Sequence, residues 1–326
     1  MWLEGRLRRL TLVLTILALG FSAHAWDDKS KQKKDQKTSV GGKPVLWRDP
    51  GDIASLNLLL GPGGEDMKPD VSKITFISDE EGGYSKKYRV SDGSGRVWVV
   101  KIGKESQAET AATRLLWSVG YTTDITYLVP RVTIEGKGTF ENVRFEARPK
   151  DVKRLDAWQW DHNPFSGTSE LQGLKIMMLL LENWDIKDSN NRILRVRSEQ
   201  SGEDELRYVV SDLGATLGKT GGIASRSRNK PADFSKAKFV LGVKGNRVDF
   251  HYEGKRQSLF HDITVEQARW IAQLLSRLTD GQIADAFRAA NYSAEEVQML
   301  AAAVRNRINQ LMAIPEAPRA VRVVRP

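Results

Sequence analysis

Five apolar runs of strand length lie in the first half of the chain. They span residues 74–78, 87–91, 96–102, 128–134 and 143–148. Turns rich in glycine, aspartate and serine separate the first three runs, and such turns join antiparallel strands. Between the third and fourth runs, apolar residues recur every three or four positions over residues 108–119, which is the spacing of an amphipathic helix. The pattern predicts a sheet packed against one helix.

From residue 169 onward the pattern becomes mostly helical. Helical periodicity marks residues 170–182, 264–279, 280–290 and 293–312, strand-like runs cover residues 193–196 and 206–210, and a glycine-rich basic loop covers residues 214–236. Ser293 and Glu296 stand where a capping box begins the last helix. We predict an α+β fold of two lobes, protein-kinase-like in its order of elements. A small sheet-plus-helix N-terminal lobe (45–148) precedes a mostly helical C-terminal lobe (149–312) and a basic tail (313–326).

The N-terminus has the three parts of a secretory signal peptide. Three arginines within residues 6–9 precede an apolar run over residues 10–21, and Ala23-His24-Ala25 supplies small residues for cleavage. The apolar run is shorter than the roughly 18 to 20 residues of a membrane-spanning helix. We predict a signal peptide over residues 1–25 and export to the periplasm or beyond, with an uncleaved anchor as the alternative. The lysine-rich residues 26–44 are predicted to form a disordered linker.

The charge balance of the chain is basic, with a formal net charge of +9 and an isoelectric point near 9.6. This balance favours contact with phosphates, acidic polymers or anionic lipid surfaces. Few aromatic residues lie among the basic ones, so nucleic acid is not an expected partner. The absence of cysteine excludes disulfides and thiolate zinc sites, and the four histidines lack metal-ligand spacing. A monomer is expected.

Two loops in the second half carry oxygen ligands at the spacing of phosphoryl-transfer enzymes. Asp185 precedes Asn190 by five residues, which is the spacing of a kinase catalytic loop. After the two strand-like runs comes Asp212-Leu213-Gly214, where kinases have the metal-binding D-F-G. Mg²⁺ is a hard cation that takes oxygen ligands from Asp and Asn. We predict Asn190 and Asp212 as metal ligands and Asp185 as the catalytic carboxylate that accepts a proton from the acceptor hydroxyl.

Features of the first half precede these loops in the matching order. Lys101 ends a strand that resembles the V-A-I-K strand, and the following helix offers Glu109 as its partner, with Glu105 as a rival. Before that strand lies Gly82-Gly83-Tyr84-Ser85, a turn whose backbone N–H groups can approach phosphates closely. We predict that this turn, Lys101 and Glu109 bind the nucleotide, and that Lys101 also serves catalysis. Each feature alone is weak evidence. The prediction rests on the order of all five along the chain: the glycine turn, Lys101, Glu109, the Asp185 loop and the Asp212 motif.

The chain resembles the protein-kinase-like superfamily over residues 74–215, in an atypical branch. Its segment "GGYSKKYRVSDGSGRVWVVKIG" resembles the nucleotide-loop region of phosphatidylinositol kinases, and the arrangement is similar to that of secretory-pathway kinases. Near the start, "WRDPGDIASLNLL" resembles a family of exported bacterial proteins. The resemblance implies ATP or another nucleotide, Mg²⁺ or Mn²⁺, and phosphoryl transfer to a hydroxyl of a lipid, sugar or protein.

Departures from the superfamily keep two other interpretations open. Asn183-Trp184 precedes Asp185 where His-Arg is usual, and no A-P-E follows Asp212, so nothing supports a docking platform for peptides. An exported enzyme also meets little ATP. One alternative is a nucleotide-binding pseudokinase. The other is a non-enzymatic exported protein that binds acidic polymers or lipid headgroups through the linker, the loop 219–230 and the arginines of the tail.

Overall fold

The computed structural model describes residues 41–82, 85–199, 201–222 and 224–316. The predicted signal peptide, Gly83, Tyr84 and most of the basic tail lie outside the described residues. Strand β1 (Lys43–Val45) overlaps the end of the predicted linker. Extended structure therefore begins at residue 43, two residues before the predicted start of the N-terminal lobe. The predicted lobe boundaries themselves stay predictions.

The first lobe is built on a five-stranded antiparallel sheet. Its strands are β2 (Thr75–Asp79), β3 (Lys86–Ser91), β4 (Val97–Ile102), β5 (Thr126–Ile134) and β6 (Gly138–Ala147), in the spatial order β2-β3-β4-β6-β5. Because side chains alternate between the faces of a strand, one face buries Trp98, Val100 and Phe145 in an apolar cluster. The opposite face carries charged residues and is covered by helix α1 (Glu105–Ser118).

A second sheet supports the loops between the lobes. It contains β1, β7 (Lys153–Arg154), β8 (Asn191–Arg197) and β9 (Asp204–Val210), in the order β1-β9-β8-β7. Strands β8 and β9 form an antiparallel hairpin, whereas β1 joins β9 in parallel. A separate hairpin of β10 (Val240–Lys244) and β11 (Arg247–Phe250) follows. The five-stranded sheet of the first lobe is therefore separate from this second sheet, to which only β1 is added from the N-terminal side in the described part of the chain.

The second lobe is mostly helical around one large apolar core. Its helices are α2 (Ser169–Leu180), α3 (Pro231–Lys236), α4 (Val265–Ser276), α5 (Asp280–Arg288) and α6 (Ala294–Met312). Helix α2 is buried at every position from residue 171 to 180, so it is the centre of this core. The capping box predicted at Ser293 and Glu296 begins α6. No helix in the described ranges is long and apolar enough to cross a membrane.

The predicted α+β fold of two lobes is confirmed, with local corrections. Helix α1 begins at Glu105 rather than at residue 108, because its first turn buries polar residues that an apolar periodicity cannot mark. The loop predicted over residues 214–236 ends in the short helix α3. The β10–β11 hairpin was not predicted. Its apolar residues Leu241 and Val243 are exposed, so strand β10 lacks the alternation of apolar core positions and polar surface positions that marks a half-buried strand.

Candidate active site

Lys101 lies at the centre of the site, on the charged face of β4. Its side chain is only 2% exposed, and Nζ lies 2.7 Å from Glu109, 3.4 Å from Glu105 and 3.3 Å from Asp212. Glu105 and Glu109 are one helical turn apart, so both face the sheet from α1. The structure places Glu109 closer to the lysine than its rival Glu105. Two of the predicted site residues, Glu109 and Asp212, therefore meet a third, Lys101, at its buried ammonium group.

Arg144 and Glu146 extend this cluster, and the sequence analysis missed both. Arg144 pairs with Lys101 in the register of β4 and β6. Its guanidinium donates to Glu109 and, at 2.6 Å, to Glu146. Both side chains are almost fully buried. The available signal was the alternation of apolar and charged residues over positions 143–146, since the two charged residues share the face that Lys101 occupies.

The cluster favours the charged forms of Lys101 and Asp212, whereas burial raises the pKa of Glu109 above its ordinary value. Burial acts to lower the pKa of Lys101, but Glu109, Asp212 and Glu105 outweigh it and raise that pKa above its ordinary value, against opposition from Arg144. Burial acts to raise the pKa of Asp212, but Lys101, the Gly214 amide and Arg144 outweigh it and hold that pKa below the usual range. The site therefore presents a fixed ammonium beside an ionised carboxylate near neutral pH.

The Asp185 loop is tied to the end of β9 by its own backbone. Asn190 Nδ2 donates to the Asp185 carbonyl at 2.6 Å, which closes the loop across five residues. The Asn190 carbonyl in turn accepts hydrogen bonds from the amides of Ser211 and Asp212, at 2.8 and 3.1 Å. A single 3-10 turn, Asp188–Asn190, links the loop to β8. Asp185, Asn190 and Asp212 are therefore held as one unit.

Both carboxylate oxygens of Asp185 are paired with lysines. Lys187 Nζ lies 2.8 Å from Oδ2, and Lys255 Nζ pairs with Oδ1. Partial burial acts to raise the Asp185 pKa, but hydrogen bonds from Lys187 and Lys255 outweigh it and hold the pKa below its ordinary value. Sequence reasoning missed Lys255, which is 70 residues away and in no motif.

Asn190 and Asp212 fit a hard divalent cation. The Asn190 amide nitrogen is used by Asp185, which leaves its oxygen as the group able to bind a metal. Asp212 Oδ1 accepts from Lys101 and Gly214, whereas Oδ2 has no partner among the described residues, and the side chain is 39% exposed. The described residues hold no cluster of three acidic or histidine ligands. Two oxygen ligands suit Mg²⁺, which usually keeps waters and takes phosphate oxygens as its other ligands.

The predicted nucleotide turn reaches the cluster through Ser85. Its hydroxyl donates to Glu105 at 2.7 Å, and Glu105 also pairs with Arg228 from the glycine-rich loop. Lys87 Nζ donates to the Gly82 carbonyl at 3.3 Å, from a position directly opposite Lys101 in the sheet. Of the four predicted turn residues, Gly82 and Ser85 thus border the site, and the other two lie outside the described residues.

A cavity of about 670 Å³ adjoins the site. Its walls come from both lobes, including Val97 of β4, Leu194 and Val196 of β8, and the segment 148–154. Its charged lining is Arg48, Arg89, Arg148, Lys150, Arg154 and Arg207, with Asp49 and Asp124. Arg154 bonds to Ser211, the residue before Asp212, and pairs with Glu146, so this arginine links the cavity to the lysine cluster. Lys101, Glu109 and Asp212 themselves do not line the cavity. The volume is within the range of small-molecule sites.

Comparison with known proteins finds similarity to solved kinase structures. No protein-family model matches the chain, and no curated protein does. The chain is similar to the proinflammatory kinase CtkA of Helicobacter pylori, at 12% identity and a TM-score of 0.44, over 73% of this chain and 95% of that one. It is also similar to the Rio2 kinase of Chaetomium thermophilum, solved as an ADP/Mg2+-phosphoaspartate complex. That match has 13% identity and a TM-score of 0.30, over 72% of each chain.

A third similar structure is an apo pseudokinase, at 11% identity and a TM-score of 0.22, over 82% of this chain and 95% of that one. With TM-scores this low, the three likenesses carry no argument about function. The phosphatidylinositol-kinase branch and the exported bacterial family stay predictions. What the site can do chemically must come from its own geometry.

Proposed function

We propose that this protein is a kinase-like phosphotransferase that moves a phosphoryl group from a nucleotide to a hydroxyl acceptor in a metal-dependent reaction. One observation carries the proposal. Lys101 bridges Glu109 of α1 and Asp212 at the end of β9, and the Asp212 amide bonds to the loop that holds Asn190 and Asp185. A protein without such chemistry has no evident reason to bring these four polar elements to one cleft.

Each residue then has a defined task. Lys101, fixed by Glu109, offers a positive charge to the phosphates of ATP or another nucleotide. Asn190 and Asp212 hold Mg²⁺ or Mn²⁺, which when bound neutralises charge on the phosphate oxygens. The acceptor oxygen bonds to the terminal phosphorus as the bond to the bridging oxygen breaks, and the hydroxyl proton passes to Asp185. The basic cavity beside the site accommodates the rest of the nucleotide.

Part of the proposal extends beyond the cleft. The basic, apolar and small-residue order at the N-terminus supports export, with cleavage after residue 25. The acceptor is a hydroxyl of a lipid, a sugar or a protein, and the protein acts as a monomer. N-terminal sequencing of the exported protein tests the cleavage, since retention of Met1 contradicts it.

A pseudokinase is the second candidate, and the state of Asp185 favours it. Lys187 and Lys255 engage both oxygens of the carboxylate that transfer requires. In a pseudokinase this pairing is permanent, and the nucleotide binds without turnover. A non-enzymatic protein that binds acidic polymers or lipid headgroups is a weaker third candidate, because it assigns no role to the buried Lys101 cluster.

Phosphate release from ATP separates these candidates. With Mg²⁺ or Mn²⁺, we expect the wild type to form ADP and Asp185→Asn to bind nucleotide normally but release phosphate about 10² to 10⁴ times more slowly. Asp262→Asn, at a partly exposed carboxylate paired with Lys175 elsewhere in the lobe, is the matched control. Binding without release in every variant indicates the pseudokinase, and absence of any nucleotide response contradicts the proposal.

A further inference from the structure

A short segment after the β10–β11 hairpin lies along the whole Asp185 loop. We name residues 252–256 the brace. The Lys255 amide donates to the Trp184 carbonyl at 2.9 Å, and the Tyr252 hydroxyl bonds to the Asn183 carbonyl at 2.8 Å. At the far end, Arg256 pairs with Asp188. Backbone and side-chain contacts therefore fix the brace against the loop from residue 183 to residue 188.

The local sequence of the brace permits this close approach. A Cβ atom at Gly254 would lie 2.8 Å from Trp184 Cα and 2.2 Å from the Tyr252 hydroxyl, distances that real Cβ contacts do not show. Only glycine therefore lets the brace and the Asp185 loop pass each other at this separation. Arg256 has a φ of 56°, a left-handed conformation that arginine rarely adopts. The tertiary contacts of the brace offset this local cost.

The brace delivers one side chain to the reacting carboxylate. Lys255 Nζ pairs with Asp185 Oδ1 and lies 5.9 Å from the centre of the Trp184 ring. Its side chain is 39% exposed, so it contacts the loop and remains partly open to solvent. Lys187 pairs with the other oxygen from within the same loop. The orientation of Asp185 thus depends on two lysines, of which one comes from a distant segment.

We propose that Lys255 is a positioning residue for the transfer reaction, holding Asp185 through Oδ1 so that the carboxylate faces the acceptor hydroxyl. The inference rests on the proposed function and deepens it. Misplacing a reacting group by about 1 Å costs roughly 10²-fold in rate. Lys187 lies on the same loop as Asp185, so Lys255 supplies the ion-pair restraint that comes from outside the loop.

The charged groups that face Asp185 come from three parts of the chain. Lys187 lies on its own loop, Lys255 and the Tyr252 hydroxyl lie on the brace, and Asp212 acts through Lys187 from the end of β9. The two ammonium groups favour the ionised carboxylate. Loss of Lys255 therefore removes the cation at Oδ1 and leaves Oδ2 paired with Lys187.

Three variants test the proposal. Lys255→Met removes the charge but keeps the aliphatic length, Lys255→Arg keeps the charge, and Lys244→Met is the matched control. Lys244 is paired with Asp249 on the neighbouring hairpin and is 81% exposed. We expect Lys255→Met to lower kcat for metal-dependent phosphate release about tenfold to a hundredfold with an unchanged KM for ATP. Lys255→Arg should recover most of the rate, and Lys244→Met should match the wild type.

A second readout does not depend on turnover. Urea unfolding of Lys255→Met, Asp185→Asn and the double variant should show effects that are not additive, because either change alone breaks the same ion pair. If no protein releases phosphate, the proposed function fails while the unfolding measurements still test the ion pair. If Lys255→Met does not fold, Lys255→Gln replaces it in both measurements. An unchanged kcat in Lys255→Met together with additive effects on stability, or a faster release in the charge-free variant, overturns the inference; faster release means that Lys255 blocks Asp185.

Discussion

Two buried ionic clusters, one in each lobe, solve the same physical problem in opposite ways. In the cleft, Lys101 meets Glu105, Glu109 and Asp212, and the last of these is 39% exposed. In the core of the helical lobe, Arg307 and Glu182 lie 3.4 Å apart and are both almost fully buried. Burying charges is costly, and pairing offsets that cost only when the remaining hydrogen bonds are also made.

The core pair is closed by its surroundings. Arg307 donates to the carbonyls of Leu180 and Phe234 and stacks on the Phe234 ring, with the guanidinium carbon 3.9 Å from its centre. Glu182 accepts from the Thr220 amide at 3.1 Å. The cleft cluster instead leaves Asp212 Oδ2 open among the described residues. The comparison indicates that the closed pair stabilises the lobe, whereas the open cluster stabilises a site and retains an oxygen for a ligand.

The largest effect on stability should follow from removing the cation of the open cluster. Lys101→Met removes the one cation that contacts all three carboxylates, although Arg144 and Arg228 still pair with Glu109 and Glu105. Breaking a buried ion pair costs about 3 to 5 kcal/mol. We expect a loss near the upper end of this range in urea unfolding, together with loss of the nucleotide response. A stable Lys101→Met protein that responds to nucleotide as the wild type does is incompatible with the assigned role.

Breaking the closed pair should cost less and leave the chemistry intact. In Arg307→Met the new side chain can pack on the Phe234 and Phe239 rings that the guanidinium now covers. Glu182 keeps the Thr220 hydrogen bond. We expect a loss of about 3 kcal/mol in urea unfolding, at the lower end of the range for a broken buried pair, with unchanged nucleotide affinity below the unfolding transition. If nucleotide affinity falls as in Lys101→Met, the two clusters do not differ in function.

The smallest expected effect is the change of the unfolding free energy with pH. It should be below about 1 kcal/mol for Asp212, because this side chain is partly exposed. The two clusters should differ in the sign of this pH dependence. The folded-state pKa of Asp212 is held low, so its stabilisation is present above the unfolded value of about 3.9 and is lost as the pH falls through the folded value. Burial raises the Glu182 pKa against the opposing charge of Arg307. Its contribution is therefore full below the unfolded value of about 4.3 and is lost as the pH rises.

Urea unfolding between pH 3.5 and 7 measures both signs. The stability difference between wild type and Asp212→Asn should shrink as the pH falls. The difference between wild type and Glu182→Gln should move against the wild type as the pH rises. Both differences moving in the same direction would show that the two carboxyls have similar environments.

Local sequence patterns indicated the candidate residues that lie in order along the chain, and their roles stay predictions. Lys101, Asp185 and Asp212 were found because strand periodicity and loop spacing place each one at the end of an element. Arg144 and Lys255 were missed for a different reason. Their roles depend on which strands pair and on where a distant segment docks, and neither is encoded in local spacing. The brace in particular exists only through tertiary contacts with residues 183–188.

The most direct test of the account is nucleotide binding with and without a divalent metal in wild type, Asp212→Asn and Arg307→Met. Calorimetric titration with ATP should show binding by the wild type that requires Mg²⁺ or Mn²⁺, because Asp212 is the principal charged ligand for a hard cation. We expect Asp212→Asn to lose the metal-dependent part and Arg307→Met to keep it. A wild type that binds no nucleotide with either metal, or an Asp212→Asn protein that binds as the wild type does, contradicts the assignment of this cleft as a nucleotide site.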